Sequence, residues 1–132
     1  MNITISQLAN ATGLTAKMIR YYEANQIVPA PQRTAADYRT YGESDISTYR
    51  FIAHARDLGF SLSDIKQLVQ LRADPQRASR EVKELANQQL SKVQQQIDQL
   101  QWLAKELNLL IELCPGDQSP SCPILNKLNG SA

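Results

Sequence analysis

The sequence predicts a mainly α-helical chain with three parts: a small N-terminal domain, one very long helix and a short C-terminal loop. Three observations support this prediction. Helix-capping residues recur through the first half of the chain, apolar residues then recur at helical spacing from residue 86 to residue 111, and both cysteines follow in the last twenty positions. At 132 residues the chain has room for one ordinary core, or for a small domain plus an extended element that a partner stabilises.

The first two helices are predicted to form a helix-turn-helix. We expect Ser6 to cap the first helix, Gly13 to supply the turn and Thr15 to cap the second helix. Ala9, Gly13 and Ile19 have the spacing of this motif, with a small residue at the helix crossing, a flexible one in the turn and an apolar anchor.

A short hairpin, or wing, is predicted next. Pro29 and Pro31 block a helix, and the run from Arg33 to Tyr41 has the pattern of two short strands. We expect Tyr38 and Tyr41 to pack in this region.

Two further helices complete the predicted N-terminal domain. Ser44 is expected to cap the third helix, which Gly59 stops. Ser61 with Asp64 three residues later resembles a capping box, and the fourth helix is expected to run to about Arg72.

The long helix has two competing start signals, Asp74-Pro75 and Ser79, and no glycine or proline until Pro115. A domain of this size cannot cover such an apolar stripe by itself, so we expect a homodimer formed by helix pairing. The alternative is that the helix folds back on the N-terminal domain. The stripe comprises Ala86, Leu90, Val93, Ile97, Leu100, Ala104, Leu107 and Ile111.

Composition excludes several classes of protein. The net charge is +1, so any nucleic-acid binding must come from a local patch. No apolar run approaches the roughly 20 residues that cross a bilayer, and the N terminus does not resemble a signal peptide, so a soluble, cytoplasmic protein is expected. No pattern of nucleophile and base, and no glycine-rich phosphate loop, indicates an enzyme.

One face of the second helix is a candidate for reading DNA. Lys17, Arg20 and Tyr21 fall at i, i+3 and i+4 and so share a face, and the amides near Thr15 suit a phosphate. Each cation could equally be a solvated surface residue, but their coincidence on a helix-turn-helix and a wing favours DNA. The wing adds Arg33, Tyr38 and Arg39.

Cys114 and Cys122 are candidate metal ligands. Seven residues separate them, including two prolines and a glycine, which is enough for the loop to bring the two sulfurs together. The single histidine, His54, is far away in the sequence, and Asp117 is the only carboxylate in the loop. Zn²⁺ prefers about four ligands, whereas two thiolates suit a soft monovalent ion: Cu(I), or Ag(I) or Au(I), one ion per loop. A thiol redox switch that uses the same two cysteines is the alternative.

Four segments resemble the MerR family of transcription regulators. They are residues 5–9 (ISQLA), 15–23 (TAKMIRYYE), 38–41 (YRTY) and 58–62 (LGFSL), and the similarity extends over essentially the whole chain. The resemblance implies a winged helix-turn-helix with linker helices at 1–72, a long antiparallel coiled-coil dimerisation helix at 73–113, and a metal-binding loop with a short last helix at 114–132. It implies DNA contacts by Lys17, Arg20, Tyr21, Arg33, Tyr38 and Arg39, with Arg56 as a weaker candidate. The wing turn departs from the common Asn-Gly, since it reads Ala36-Asp37.

The loop itself resembles that of the copper-responsive branch of the family. In divalent-sensing relatives the partner subunit supplies a further cysteine at the position of Ser79, and serine is a poor ligand for soft metals. The resemblance further implies binding to inverted-repeat promoter DNA with an over-long spacer, together with RNA polymerase, and activation through DNA distortion at copper-efflux or detoxification genes. The alternatives are a divalent-metal sensor or a redox sensor of the same fold, or a repressor that metal releases from DNA.

Overall fold

The computed structural model describes residues 2–77, 79–118 and 120–130. It divides into two compact units, residues 1–89 and 90–132, and the longest helix runs through both. The elements in chain order are α1 Ile5–Thr12, α2 Ala16–Ala24, β1 Gln32–Arg33, β2 Arg39–Thr40, α3 Glu43–Asp57, α4 Leu62–Ala73, α5 Ser79–Leu113 and α6 Pro123–Leu128. The predicted mainly helical fold with a long C-terminal helix is confirmed.

The caps of α1 and α2 are set by local hydrogen bonds. Thr4, not Ser6, caps α1, because Thr4 and Gln7 form a reciprocal capping box that leaves Ser6 inside the first turn. Gly13 ends α1 with a left-handed φ of 76°, and the Thr15 side chain accepts from the Met18 amide at 3.1 Å. The turn and the second cap are therefore as predicted, and the Ser6 prediction was wrong.

The wing is an antiparallel hairpin with a three-residue loop. The amide of Asp37 donates to the carbonyl of Thr34 at 2.9 Å, and Asp37 itself has a left-handed φ of 67°. This is a type I turn followed by a left-handed residue, a common hairpin connection in which Asp is tolerated more readily than most non-glycine residues. Ala36-Asp37 thus closes the wing without the Asn-Gly pair.

The two tyrosines of the wing have opposite environments. Tyr41 is buried at the end of β2, with 2% of its surface exposed, and its ring packs edge-to-face on Tyr49 of α3. Tyr38 is 73% exposed. The expectation that both pack was wrong for Tyr38, because its position beside the loop places it on the solvent side of the hairpin.

Helices α3 and α4 begin and end at clear signals. Gly42 rather than Ser44 is the N-cap of α3, since the Asp45 carboxylate accepts from the Gly42 amide at 2.9 Å. Ser61 caps α4 as predicted, accepting from the Asp64 amide at 3.1 Å. Asp74 is the C-cap of α4, so the Asp74-Pro75 start signal for the long helix was wrong and α5 begins at the competing Ser79.

One apolar core lies in the first unit, where helices α1 to α4 and the start of α5 pack. Its most deeply buried side chains include Leu8, Ile19 and Ile52. Leu85 brings the beginning of α5 into the same core. The core therefore fixes α2 and the wing on a single small scaffold.

From residue 90 onward, most of the large apolar side chains of α5 are exposed in the single chain, although Val93 and Leu110 are half-buried. Among the large residues of the predicted stripe, the exposed fraction is 47% for Ile97 and 64% for Leu100. Leu90, Leu107 and Ile111 are also exposed. In the part of the chain that the structure describes, no helix combines the length and apolar character needed to cross a membrane.

Candidate nucleic-acid interface and metal centre

The outward face of α2 carries the predicted DNA-reading residues. Ile19 and Tyr22 are buried, which turns Lys17, Arg20 and Tyr21 toward solvent, and Tyr21 is 54% exposed. Within the described ranges, neither Lys17 nor Arg20 has a hydrogen-bond or ion-pair partner. Two unpaired cations on one exposed helix face are well suited to phosphates or base edges.

Thr15 lies at the N terminus of the same helix. Its side-chain oxygen accepts from the amide of Met18, so the hydroxyl proton stays available as a donor. The first amides of α2 lack partners within the helix, and the helix dipole makes this end positive. This end of α2 is therefore suited to a backbone phosphate.

The three predicted wing residues differ in how firmly they are held. Arg33 donates to the carbonyl of Asp37 at 3.0 Å and lies 3.8 Å from its carboxylate, across the hairpin loop. Tyr38 is exposed, as described above. Arg39 is half-buried, and its Nε donates to the Glu23 carboxylate at 3.0 Å. In the wing, Arg33 is thus bonded to the hairpin loop, whereas Arg39 is bonded to α2.

Glu23 was not among the residues predicted from the sequence. It ends the segment Tyr21-Tyr22-Glu23, and its carboxylate accepts both from Arg39 and from the phenol of Tyr41. Burial, and then this hydrogen bond, raise the pKa of Tyr41 well above its ordinary range. The sequence signal that could have identified Glu23 is its position as an acidic residue near the end of a helix that is predicted to face DNA.

Arg56 lies in the last turn of α3 and is exposed. Burial raises the pKa of the Tyr22 phenol, and the positive charge of Arg56 partly opposes that rise. Arg56 is therefore close enough to α2 for its charge to be felt there.

The C-terminal loop brings the two cysteines together. Cys114 follows the end of α5, Cys122 is the N-cap of α6, and their sulfurs are 3.9 Å apart. Both are half-buried free thiols, and a disulfide would need a separation of about 2.05 Å. Ser119, which lies in this loop, is outside the described residues.

Backbone amides favour the thiolate form of Cys122. The amide of Leu125, and to a lesser degree the Cys114 thiol and the amide of Ile124, lower the pKa of the Cys122 thiol, although desolvation opposes them. These amides belong to the first turn of α6, where donors have no partner within the helix. Negative charge on the sulfur is thus stabilised by the short helix that follows it.

Among the described residues of one chain, the two sulfurs are not part of a larger group of metal-binding side chains. Across residues 2–77, 79–118 and 120–130 there is no group of three or more His, Cys, Asp or Glu side chains able to hold a metal ion. Ser79, the predicted selectivity position, is the exposed first residue of α5.

Comparison with known proteins decides the family. A family model described as "MerR HTH family regulatory protein" matches residues 3–71, and one described as "MerR, DNA binding" matches residues 47–110. The chain belongs to the MerR family. MerR proteins are DNA-binding transcription regulators that act as dimers, so this chain is a transcription regulator of that family and not an enzyme.

Similar proteins cover almost the full chain. A probable heavy metal-dependent transcriptional regulator of Haemophilus influenzae is 43% identical, over 97% of this chain and 100% of its own length. The regulator CueR of Escherichia coli O6:H1 is 39% identical, over 97% of this chain and 95% of its own. Among solved structures, the regulator PbrR691 of Ralstonia metallidurans in complex with lead(II) has a TM-score of 0.82 and 28% identity, covering 96% of this chain and 98% of that one.

Proposed function

We propose that this MerR-family protein is a Cu(I)-responsive activator, which also responds to Ag(I) and Au(I), and that Cys114 and Cys122 are its metal ligands. The single observation that carries the proposal is the isolated pair of sulfurs 3.9 Å apart. Its targets would be copper-efflux or detoxification genes, an inference supported by the likeness to CueR.

The separation of the sulfurs fits one shared ion. With a metal–sulfur length of about 2.3 Å, two thiolates on one ion lie at most about 4.6 Å apart. The observed 3.9 Å is inside that limit, so the loop needs little rearrangement for both sulfurs to reach the same ion. Coordination of one ion by both sulfurs would connect the end of α5 to the start of α6.

Ligand number and charge favour a monovalent ion. Two thiolates satisfy a soft ion that accepts two ligands, whereas Zn²⁺ would lack about two of its four. Two thiolates and a monovalent ion leave one net negative charge, and the amides of Leu125 and Ile124 at Cys122 are placed to offset it. A divalent ion would gain less from these donors because its site would be neutral.

DNA binding is proposed through α2 and the wing of each subunit in a homodimer. The exposed apolar stripe of α5 supports antiparallel pairing with a second copy, because pairing would remove these leucines and isoleucines from water. Two recognition helices would then read the halves of an inverted repeat, contacting DNA through Thr15, Lys17, Arg20, Tyr21, Arg33, Tyr38, Arg39 and Arg56.

Activation is proposed to act through the shape of the promoter. The metal-bound dimer would distort the DNA so that RNA polymerase recognises both promoter elements, and the apo dimer would stay bound without this distortion. In vitro transcription with polymerase, with and without Cu(I), tests this model. If Cu(I) only removes the protein from DNA, the chain is a repressor and the activation model fails.

The metal site is tested by X-ray absorption on the Cu(I)-loaded full-length protein. We expect one ion per chain with two sulfur ligands, and no Cu(I)-dependent transcription by Cys114→Ser or Cys122→Ser. Ser121→Ala is the matched control, because it changes the same loop without removing a sulfur. Three or four ligands per ion, or normal copper activation of either cysteine variant, would contradict the proposal.

The response of the wild-type protein to other inducers separates the alternatives. A thiol redox sensor would respond to an oxidant such as diamide with no metal present, and the response would vanish when dithiothreitol is added. A divalent sensor would respond to Zn(II), Hg(II) or Pb(II) at concentrations similar to those effective for Cu(I).

A further inference from the structure

We propose that Glu23 is a positioning residue for DNA binding, which holds the Arg39 guanidinium toward the DNA backbone and fixes the wing at a set distance from the recognition helix α2. The inference rests on the proposed DNA contacts of α2 and the wing. The observation behind it is the largely enclosed carboxylate that joins these two elements.

The Glu23 carboxylate is almost fully enclosed and is bound at both oxygens. Its side chain is 8% exposed; Oε2 accepts from Arg39 Nε at 3.0 Å, and Oε1 accepts from the phenol of Tyr41. A carboxylate that accepts from two donors, one on β2 and one on the residue that directly follows it, cannot rotate freely. Glu23 therefore fixes the orientation of the strand that carries Arg39.

The strand is fixed from its other side as well. Tyr41 exchanges two backbone hydrogen bonds with Ile3, at 2.8 and 3.0 Å, and its ring packs on Tyr49 of α3. The end of β2 is thus held to the N-terminal segment, to α3 and, through Glu23, to α2. The wing and the recognition helix should consequently move as one unit.

The ion pair leaves most of Arg39 available. Glu23 uses only the Nε–H, while the guanidinium has four further N–H donors on its terminal nitrogens. Among the described residues no second partner takes those donors, and the Arg39 side chain is 30% exposed. Holding a guanidinium by Nε and presenting its terminal nitrogens prepares it for a bidentate phosphate contact, because its rotamer is selected before DNA arrives.

Simple charge repulsion gives the opposite expectation for Glu23. A carboxylate at the end of a DNA-reading helix should repel phosphates, so neutralising it would strengthen DNA binding and steepen its dependence on salt. If Glu23 instead positions Arg39, removing it costs a phosphate contact in each wing. The two roles therefore predict changes of opposite sign.

The experiment measures the affinity of the full-length protein for a DNA duplex between 50 and 200 mM salt. The duplex is one that the wild-type protein has itself selected from a random library. The variants are Glu23→Gln, Glu23→Asp, Arg39→Ala and the double variant Glu23→Gln/Arg39→Ala, each checked for folding by circular dichroism. Glu23→Asp is the matched control, since it keeps the charge but withdraws the carboxylate by one methylene.

We expect Glu23→Gln and Arg39→Ala to bind about 100-fold or more weakly, as for the loss of one charge-assisted hydrogen bond in each of the two wings. The slope of log K against log salt should fall by about 1.8 for the two wings of a dimer. Glu23→Asp should share both defects, and the double variant should be no worse than Arg39→Ala alone.

Tighter binding or a steeper slope in Glu23→Gln would overturn the inference, as would wild-type behaviour of Glu23→Asp. Additive losses in the double variant would also overturn it, since they mean that Glu23 acts independently of Arg39. If the wild-type protein selects no duplex at all, the proposed DNA-binding function fails instead, and the two failures are thereby distinguished.

Discussion

Leu107 provides the most direct test of the proposed dimer. It lies on the apolar stripe of α5 and is 57% exposed in the single chain. Full burial of a leucine contributes about 1.5–3 kcal/mol, so covering the exposed part contributes about 0.9–1.7 kcal/mol per copy. A twofold dimer contains the residue twice, and Leu107→Ala should therefore weaken the dimer by about 1.7–3.4 kcal/mol, or about 20- to 300-fold in Kd.

The assay is sedimentation equilibrium of the full-length protein over a range of concentrations. Alanine is the best helix former, so the substitution should leave the helical content measured by circular dichroism unchanged. Lys105→Ala is the matched control, because two residues turn an α-helix by about 200° and place Lys105 on the opposite face. Equal effects of the two substitutions, or an unchanged dimer in Leu107→Ala, would refute the assignment of this stripe to dimerisation.

Three further predictions concern the thiols, the core and metal selectivity. The Leu125 amide lowers the pKa of the Cys122 thiol, so Cys122 should react with iodoacetamide at a lower pH when the protein is folded. In the Cys114→Ser variant, the rate of Cys122 alkylation should reach half its maximum at a lower pH than in the same variant unfolded in urea. Equal midpoints would contradict this. The buried hydroxyl of Tyr49 has no hydrogen-bond partner among the residues that the structure describes, so Tyr49→Phe should keep or raise the free energy of unfolding, by up to about 1–3 kcal/mol. Tyr41→Phe, which loses the bond to Glu23, should lower the free energy of unfolding by about 1.5–3 kcal/mol. Urea denaturation measures both, and a destabilised Tyr49→Phe would show that its hydroxyl is satisfied. Ser79→Cys should add a soft ligand and confer transcriptional activation by Hg(II) or Zn(II), with Ser79→Ala as control; an unchanged metal response would remove Ser79 from the selectivity model.

Short-range signals in the sequence determined much of this protein. Gly13, Thr15 and Ser61 were predicted as helix boundaries and are found there, because a cap is a hydrogen bond between residues at most a few positions apart. The long helix followed from apolar spacing alone. The family followed from the resemblance of segments such as residues 15–23, which can be recognised without a structure.

Competition between neighbouring signals was decided partly by local bonds and partly by the tertiary structure. Thr4 caps α1 in place of Ser6 through its reciprocal bonds with Gln7, which are local. Gly42 caps α3 in place of Ser44, and Asp74 ends α4 instead of starting α5. The direction from which the chain enters a helix contributes to such a choice. For Gly42, that chain is the strand that carries Tyr41 into the core.

Contacts between distant residues were decided by folding alone. Sixteen positions separate Glu23 from Arg39, and the spacing of the sequence contains nothing that pairs them. The sequence named Cys114 and Cys122 as ligands, but only the fold shows their sulfurs 3.9 Å apart and the amides of α6 beside Cys122. Residue type sets which chemistry is available, whereas the distance and orientation that make it usable arise from packing among elements that are far apart in the chain.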